Sequence, residues 1–201
     1  RLQGVFTAAR DITERKQAEK QILSLALHDP LTLLPNRRRF SDRLVHTMAA
    51  SKRSNRHSAL IFLDLDKFKA LNDTQGHHAG DLLLIEAARR ISTCAREVDT
   101  VARFGGDEFA LILSELYVDK TKSTIRSGIV AEKLRATLDE PYVLQEEGTA
   151  EATIEHRCTS SIGVVVFLGR DADMEGVIKQ ADMAMYQAKE AGGNTVRYYG
   201  A

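Results

Sequence analysis

The chain has 201 residues, 43% of them hydrophobic and 28% charged. That length fits one domain, or one domain with part of another, and the composition excludes a disordered chain, a collagen-like repeat and a disulfide-rich miniprotein. Lys plus Arg and Asp plus Glu both number 28, so the formal net charge is zero, and only 6% of residues are aromatic. These values argue against a nucleic-acid polymer as partner.

The first 27 residues are predicted to be a short strand, 1–10, and a helix, 11–27. Within the helix an incomplete apolar seam runs through Ile12, Ala18, Ile22 and Leu25. The seam is compatible with a linker helix that pairs with a second copy, and equally with a solvated helix that packs locally. We expect the helix to end at His28-Asp29-Pro30, because the residue before a proline is disfavoured in helical conformation.

Helices and strands alternate through the rest of the chain, with one hairpin among them. The apolar stripe Phe40, Leu44 and Met48 predicts the first helix of this part, and Ile125, Ile129, Leu134 and Leu138 predict the face of a later one. The predicted elements, in chain order, are a helix from Pro35-Asn36, a polar loop at 51–58, a strand at 59–65, a helix at 79–95, hairpin strands at 101–104 and 109–113, a helix at 120–138, an acidic loop near 145–151, a strand at 159–168, a helix at 173–191 and a strand at 196–199.

This order predicts a mixed α/β sandwich in which helices cover a mainly antiparallel central sheet. The two cysteines, Cys94 and Cys158, have no CxxC partner, and we interpret them as reduced core thiols of a cytoplasmic protein. The longest apolar runs have about eight residues, too few to span a bilayer. Because residue 1 is Arg, we interpret the chain as part of a longer protein, whose membrane anchor, if it has one, lies elsewhere.

Acidic residues follow the apolar strand 59–65. Asp64 and Asp66 are two residues apart, so on an extended strand both carboxylates point to one side. Unpaired carboxylates at the edge of an apolar core are costly, and a hard cation such as Mg²⁺ relieves that cost. A strand end that frays into solvent is the alternative explanation.

A second acidic pair lies in the hairpin turn Gly105-Gly106-Asp107-Glu108. The glycines permit positive φ and a close approach of backbone to ligand, so the turn presents both carboxylates at a fixed place. Two acidic sites at one sheet edge can form a metal centre that acts on a triphosphate. An ordinary acidic hairpin remains possible on these residues alone.

Arg103-Phe104-Gly105-Gly106-Asp107-Glu108-Phe109 contains the GGDEF signature, and the chain resembles the GGDEF family of diguanylate cyclases over about residues 28–200. Several further segments resemble the family in the same register. They are Asp29-Pro30-Leu31-Thr32, Leu34-Pro35-Asn36-Arg37, 62–69, Asn72-Asp73, Gly76-His77, Gly80-Asp81, 161–164, Ala181-Asp182 and 186–189.

The resemblance implies a fold similar to nucleotidyl cyclases and the polymerase palm, with a GGDEF domain at 28–201. It implies an enzyme that joins two GTP molecules into cyclic di-GMP and releases pyrophosphate. Because each subunit would hold one GTP, it also implies a homodimer. Mg²⁺ is the implied cofactor, and Mn²⁺ is an alternative.

The resemblance also implies roles for single residues. Asp64, the carbonyl of Leu65 and Asp107 would ligate the metal, and Glu108 would assist it or deprotonate the attacking hydroxyl. Whether Asp107 or Glu108 is the base stays open. Residues implied to bind substrate are Asn72 and Asp81 at the guanine, Lys67, Phe68, Lys69 and Lys189 at the phosphates, and Gly105 and Gly106 in the turn.

Arg96 and Asp99 resemble the family's RxxD inhibitory site, where the product cyclic di-GMP binds. An arginine can pair with the acceptors of a guanine edge, and a carboxylate can accept from its donors. An ion pair that closes a helix is the alternative explanation. Arg126 is a candidate second arginine of that site.

The chain departs from the family at Gly193, where many members carry an arginine that reaches the terminal phosphate. This departure keeps a second reading open, in which the domain binds GTP or cyclic di-GMP and regulates a neighbour without synthesis. Residues 1–27 resemble the end of a PAS sensor domain and its linker helix, which implies an upstream sensor. The LPNR variant also occurs in members followed by a phosphodiesterase EAL domain.

Overall fold

The computed structural model describes residues 26–145, 154–170 and 173–200. The predicted strand at 1–10, the PAS-like tail, almost all of the linker helix and most of the acidic loop lie outside these residues. Residues 26 and 27 are helical, and His28 then forms an isolated bridge with Pro35. The predicted end of the helix at His28-Asp29-Pro30 is therefore confirmed.

The described residues form four helices and seven strands. In chain order they are α1 Arg37–Ser54, β1 Ser58–Leu65, α2 Phe68–Cys94, β2 Thr100–Gly105, β3 Glu108–Leu113, α3 Lys120–Asp139, β4 Tyr142–Leu144, β5 Ile154–His156, β6 Ser160–Phe167, α4 Met174–Glu190 and β7 Thr195–Tyr198. Among these described residues, β2–β3 and β4–β6 follow one another without a helix between them.

The central sheet has the strand order β2-β3-β1-β6-β7. The β2–β3, β3–β1 and β1–β6 pairs are antiparallel and only β6–β7 is parallel, so the mainly antiparallel sheet is confirmed. β4 and β5 form a separate two-stranded hairpin. The middle position of β1 explains why its sequence is apolar almost throughout, since a central strand covered on both faces is buried at every position.

Helices cover both faces of the sheet, and successive residues of β1 alternate between the two cores. Ile61 and Leu63 belong to the core that α2 and α3 close. Leu60 and Phe62 belong to the core that α1 and α4 close, where Phe62 contacts the ring edges of Phe40 and Phe104. The predicted sandwich is therefore confirmed.

The helix α1 begins where the sequence predicts and ends later. Asn36 caps its first turn by accepting a hydrogen bond from the backbone N–H of Arg39. The loop predicted at 51–58 is wrong over residues 51–54, which are helical. Ser51 is buried there because its hydroxyl donates to the carbonyl of Arg56 and accepts from the N–H of Gly169.

The helix α2 begins at Phe68, about three turns earlier than the predicted start at residue 79. Gly76 has non-helical backbone angles, φ 84° and ψ 165°, and divides α2 into two helical halves at a kink. Positive φ is readily available to glycine, which is why a break can occur here without strain. The kink brings Gly80, in the second half, close to the Asn72 side chain in the first.

The face of α3 differs from the prediction. Ile125 and Ile129, which the apolar stripe placed in the core, are 60% and 56% exposed, whereas Ser123 and Ser127 are fully buried. The serines are accepted because their hydroxyls donate to backbone carbonyls, from Ser123 to Tyr117 and from Ser127 to Thr124. The second half of the stripe, Leu134 and Leu138, is buried as predicted.

Both cysteines are free and buried, as predicted. Across the described ranges, every helix is too short or too polar to cross a bilayer.

The corrected face of α3 is tested by two matched truncations. We expect Leu134→Ala to lower the free energy of unfolding by about 2–5 kcal/mol, since it opens a cavity in the core. Ile129→Ala removes an exposed side chain and should change the same quantity by less than about 0.5 kcal/mol. Urea unfolding of both variants measures the difference, and equal losses would contradict the assignment of faces.

Candidate active site

The two acidic segments meet at one end of the central strands of the sheet, which we call the carboxylate edge. Asp64, near the end of β1, lies opposite Glu108, the first residue of β3. The β2–β3 turn is built on two glycines with positive φ, 146° at Gly105 and 54° at Gly106. The backbone N–H of Leu65 donates to the carbonyl of Asp107 across this junction, over 3.3 Å. The antiparallel register thus joins residues that are far apart in sequence.

Lys189, in the last turn of α4, is the counter-charge of this edge. Its Nζ lies 2.7 Å from Oδ2 of Asp64. The carboxylate is almost completely buried, whereas the lysine side chain is 39% exposed. The ammonium therefore covers a buried carboxylate while its own outer side faces solvent.

Charge crowding is visible in the protonation of these groups. Burial and the negative charges of Asp107 and Glu108 together raise the pKa of the Asp64 carboxyl to about 6, against the lowering effect of Lys189. Burial lowers the pKa of Lys189, but the three carboxylates outweigh it and raise that pKa overall. The edge therefore holds more negative charge than one lysine neutralises.

The donor set suits a divalent metal ion. Asp64, Asp107 and the Leu65 carbonyl offer oxygen ligands, which hard cations such as Mg²⁺ and Mn²⁺ prefer. The mutual repulsion of the carboxylates is the specific sign, because a bound cation relieves it. In the described part of the chain no group of three or more His, Cys, Asp or Glu side chains is arranged as a metal site. The set thus fits a metal held by two side chains and one carbonyl.

Asp66 does not join Asp64 in this set. It lies one residue beyond β1, and its carboxylate accepts from the hydroxyls of Thr159 and Ser161, both over 2.6 Å, and from the backbone N–H of Asn194 over 2.9 Å. The expectation that Asp64 and Asp66 act as a pair therefore gives way to a separate network. The sequence offers no local signal for it, since its partners are about 90 residues or more away.

The residues implied to hold phosphates lie at the start of α2. Lys67 has left-handed backbone angles, φ 60° and ψ 20°, and precedes the first helical residue, Phe68. The first N–H groups of a helix lack partners within the helix and attract anions. The side chains of Lys67 and Lys69 are exposed beside them. The loop therefore offers backbone donors and two ammonium groups.

The residues implied to bind guanine face each other across the kink in α2. Asn72 lies before Gly76, and Gly80 and Asp81 lie after it. The side-chain oxygen of Asn72 is buried and has no hydrogen-bond partner, and a Cβ at Gly80 would overlap it. A buried acceptor without a donor is costly, so it marks a place for a ligand N–H group. Asp81, the next residue after Gly80, is exposed.

Arg96 and Asp99 form a closed network in this structure. The guanidinium donates to both carboxylate oxygens of Asp99, over 3.0 and 2.9 Å, and to the carbonyl of Ser114. The Asp99 side chain is only 1% exposed, and it also accepts from the N–H of Ser114. The ion pair allowed as an alternative is therefore present, and cyclic di-GMP would have to meet the exposed side of Arg96.

The sequence analysis did not predict the contacts through which Arg103 joins the beginning of the domain to the acidic turn. Arg103 forms an ion pair with Asp29 over 2.9 Å and donates twice to the carbonyl of Gly106. Asp29 also accepts from the backbone N–H and hydroxyl of Thr32. Both residues lie within quoted motifs, Asp29-Pro30-Leu31-Thr32 and Arg103-Phe104, but their pairing has no signal in the sequence.

Residues 26–195 match the family described as "Diguanylate cyclase, GGDEF domain". The chain belongs to the GGDEF family. The chain is 40% identical over 182 residues to the bifunctional diguanylate cyclase/cyclic di-GMP phosphodiesterase MucR of Pseudomonas aeruginosa. The match covers 90% of this chain and 25% of MucR, so the GGDEF domain described here spans about a quarter of that relative.

Two solved structures agree with the GGDEF domain over most of its length. The GGDEF domain of TpbB from Pseudomonas aeruginosa has a TM-score of 0.75 and 33% identity, covering 85% of this chain and 99% of that one. The coiled coil and GGDEF domain of DgcB from Caulobacter crescentus, in complex with cyclic di-GMP, has a TM-score of 0.78 and 28% identity, covering 93% of each chain. The mixed α/β fold is thus the fold of the family.

The GGDEF domain has no side chain at position 193, and the structure leaves little room for one. Gly193 has φ 76°, and a Cβ there would lie 2.8 Å from Oδ2 of Asp66. An arginine would therefore require the turn after α4 to move away from Asp66. Lys189 and the loop at Lys67 and Lys69 remain as the cations of this edge.

The raised pKa of Asp64 predicts a pH dependence of stability. Between about pH 4 and 7 the folded domain keeps its Asp64 proton longer than the unfolded chain, so this residue contributes less stability as pH rises. We expect the difference in unfolding free energy, wild type minus Asp64→Asn, to fall by about 1–3 kcal/mol over that range in metal-free buffer. A constant or rising difference in urea unfolding would contradict the assignment.

Proposed function

We propose that this GGDEF domain is an active diguanylate cyclase, which condenses two GTP molecules into cyclic di-GMP and releases two pyrophosphates. The observation that carries the proposal is the crowded carboxylate edge, where Asp64 lies opposite Glu108 and forms an ion pair with Lys189. An edge with excess negative charge beside an anion-binding helix start can hold a cation and a triphosphate together. Membership of the family supports the same activity.

The substrate would lie across the start of α2. The backbone at Lys67 and Phe68, with Lys69 and Lys189, would hold the phosphates, while Asn72 and Asp81 accept hydrogen bonds from the guanine N–H groups. A bound Mg²⁺ or Mn²⁺, held by Asp64, Asp107 and the Leu65 carbonyl, would neutralise charge that develops on the reacting phosphate.

The chain itself would then position the reaction and move one proton. The 3′-hydroxyl of one GTP attacks the α-phosphate of the other, and Asp107 or Glu108 accepts its proton. The bond to pyrophosphate breaks, and Lys189 would stabilise the charge on the phosphates. A second transfer in the opposite direction closes the ring.

The reaction requires two nucleotides, and each domain has one such edge. We therefore propose that the working form is a homodimer with one GTP on each subunit. The rate per subunit should then depend on protein concentration.

The central test is incubation with GTP and Mg²⁺, with chromatographic detection of cyclic di-GMP. Asp107→Ala and Glu108→Ala should each lower the rate about 10²-fold or more, because both remove charge at the transition state. Asp107, in the turn, and Glu108, at the start of β3, are half-buried and belong to neither hydrophobic core, so the fold should survive. Glu97→Ala, an exposed site with the same charge change, is the matched control.

Full activity in both turn variants would remove the turn from the mechanism. The variant with the larger loss of rate identifies the base if its rate stays low at saturating Mg²⁺. A variant that has lost only a metal ligand should regain part of its rate as the Mg²⁺ concentration rises.

We also propose that cyclic di-GMP inhibits the domain by binding at Arg96. The Arg96 side chain is 44% exposed although its guanidinium pairs with Asp99, so a guanine would approach it from the solvent side. The buried Asp99 would orient the arginine in the structure as it stands.

Arg96→Ala should weaken cyclic di-GMP binding about tenfold to a hundredfold, the value of a lost bidentate pair. The initial rate should be unchanged, because Arg96 lies outside the carboxylate edge. Calorimetric titration of the wild type and the variant measures the affinity. Equal affinities would leave Arg96 and Asp99 as a structural ion pair.

Gly193 supports a second candidate function. A domain without a side chain at this position can bind nucleotide too weakly for turnover and still regulate a neighbour. The name of MucR joins a cyclase with a phosphodiesterase, so a phosphodiesterase is one such neighbour, and an upstream sensor is another. Binding of GTP or cyclic di-GMP without product formation, at all protein concentrations, would favour this function.

A further inference from the structure

The Asp66 carboxylate accepts hydrogen bonds from two separate segments of the chain. Oδ1 accepts from the Ser161 hydroxyl, and Oδ2 accepts from the Thr159 hydroxyl and the backbone N–H of Asn194. Its own backbone N–H donates to the carbonyl of Thr159 over 2.9 Å. The β1–α2 junction, the start of β6 and the turn between α4 and β7 are thus fixed to one carboxylate.

These segments carry the cations of the active site. Asp66 immediately precedes Lys67 and the N-terminus of α2. Asn194 follows the turn that begins after Lys189, and this turn is bonded back to the end of α4 through the N–H groups of Gly192 and Gly193. Asp66 therefore links the phosphate loop to the turn that follows Lys189.

The hydrogen bonds that Asp66 accepts are short, and a carboxylate acceptor makes them stronger than a neutral one would. Hydrogen bonds to an ionised carboxylate are about twice as strong as neutral ones, and both oxygens are in use. An asparagine would offer one oxygen only and would direct an NH₂ group at existing donors. A Cβ at Gly193 would lie 2.8 Å from Oδ2, so the turn after α4 passes close to this carboxylate.

We propose that Asp66 is a positioning residue that sets the distance between the phosphate loop at Lys67 and the Lys189 ammonium. It touches neither substrate nor metal, and it acts through Thr159 and Asn194. The proposal rests on the proposed function, since it assumes that a triphosphate lies between these two cations.

The test compares Asp66→Asn with the wild type by calorimetry in Mg²⁺, using an α,β-methylene GTP analogue, which cannot be cyclised, and GMP. The analogue should bind about tenfold more weakly to the variant, while GMP, which lacks the outer phosphates, should bind with nearly unchanged affinity. The KM for GTP should rise by a similar factor, with kcat within about threefold of the wild type.

Two matched variants separate positioning from general stability. Asn194→Gly removes the side-chain bonds to Arg135 and Asp139 but keeps the N–H that Asp66 accepts, so the ratio of the two affinities should not change. Thr159→Val should weaken binding of the analogue part of the way toward the Asp66→Asn value. Thr159→Ser keeps the hydroxyl and should bind the analogue like the wild type. Thr159→Val also serves if Asp66→Asn does not fold.

A folded Asp66→Asn or Thr159→Val protein with an unchanged affinity ratio overturns the proposal, even if its melting temperature is lower. A wild type that binds the analogue tightly but makes no cyclic di-GMP contradicts the proposed function, while the affinity ratio still decides the role of Asp66. A wild type that binds the analogue no better than GMP overturns both.

Discussion

A carboxylate that is only 6% exposed, set beside two others, is the arrangement on which the rest of this domain depends. Such a group is costly to bury unless a cation or strong donors compensate it. Asp64 occupies this position because β1 lies in the middle of the sheet, with the acidic turn on one side and β6 on the other. The last turn of α4 then supplies Lys189. The strand order thus buries Asp64 between the acidic turn and β6, and α4 supplies the cation that compensates this burial.

The sequence predicts the sheet well, because its signals are local. The continuous apolar run of β1 indicates a central strand, and Asn36 marks the start of α1. The first half of α2 could not be read in the same way, because it is polar and ends at the Gly76 kink. On α3, the exchange of Ile125 for Ser123 in the core is decided by carbonyl acceptors in the preceding loop, which hydrophobic periodicity does not represent.

The candidate site was predictable as a list of residues and much less so as a set of contacts. The sequence shows carboxylates both in the hairpin turn and at the end of β1. Once β1 and β3 are known to be antiparallel neighbours, the two segments are expected to lie side by side. The ion pairs Lys189–Asp64 and Arg103–Asp29 join residues 74 or more positions apart and could not be derived from spacing. Asp66 is the clearest case, since its place in the sequence suggests a ligand and its hydrogen bonds show a structural anchor.

The position of α4 late in the chain has a consequence for folding. During synthesis β1 and the acidic turn leave the ribosome long before Lys189 and Asn194, so the nascent sheet has its carboxylates without their counter-charge. Contacts between distant segments form late, because their loops are costly to close. Detachment of α4 from an otherwise intact sheet would likewise remove Lys189 from Asp64, and so from the proposed nucleotide site, before the central core is lost. Loss of nucleotide binding is therefore expected to be an early and sensitive report of local unfolding at the C-terminal helix.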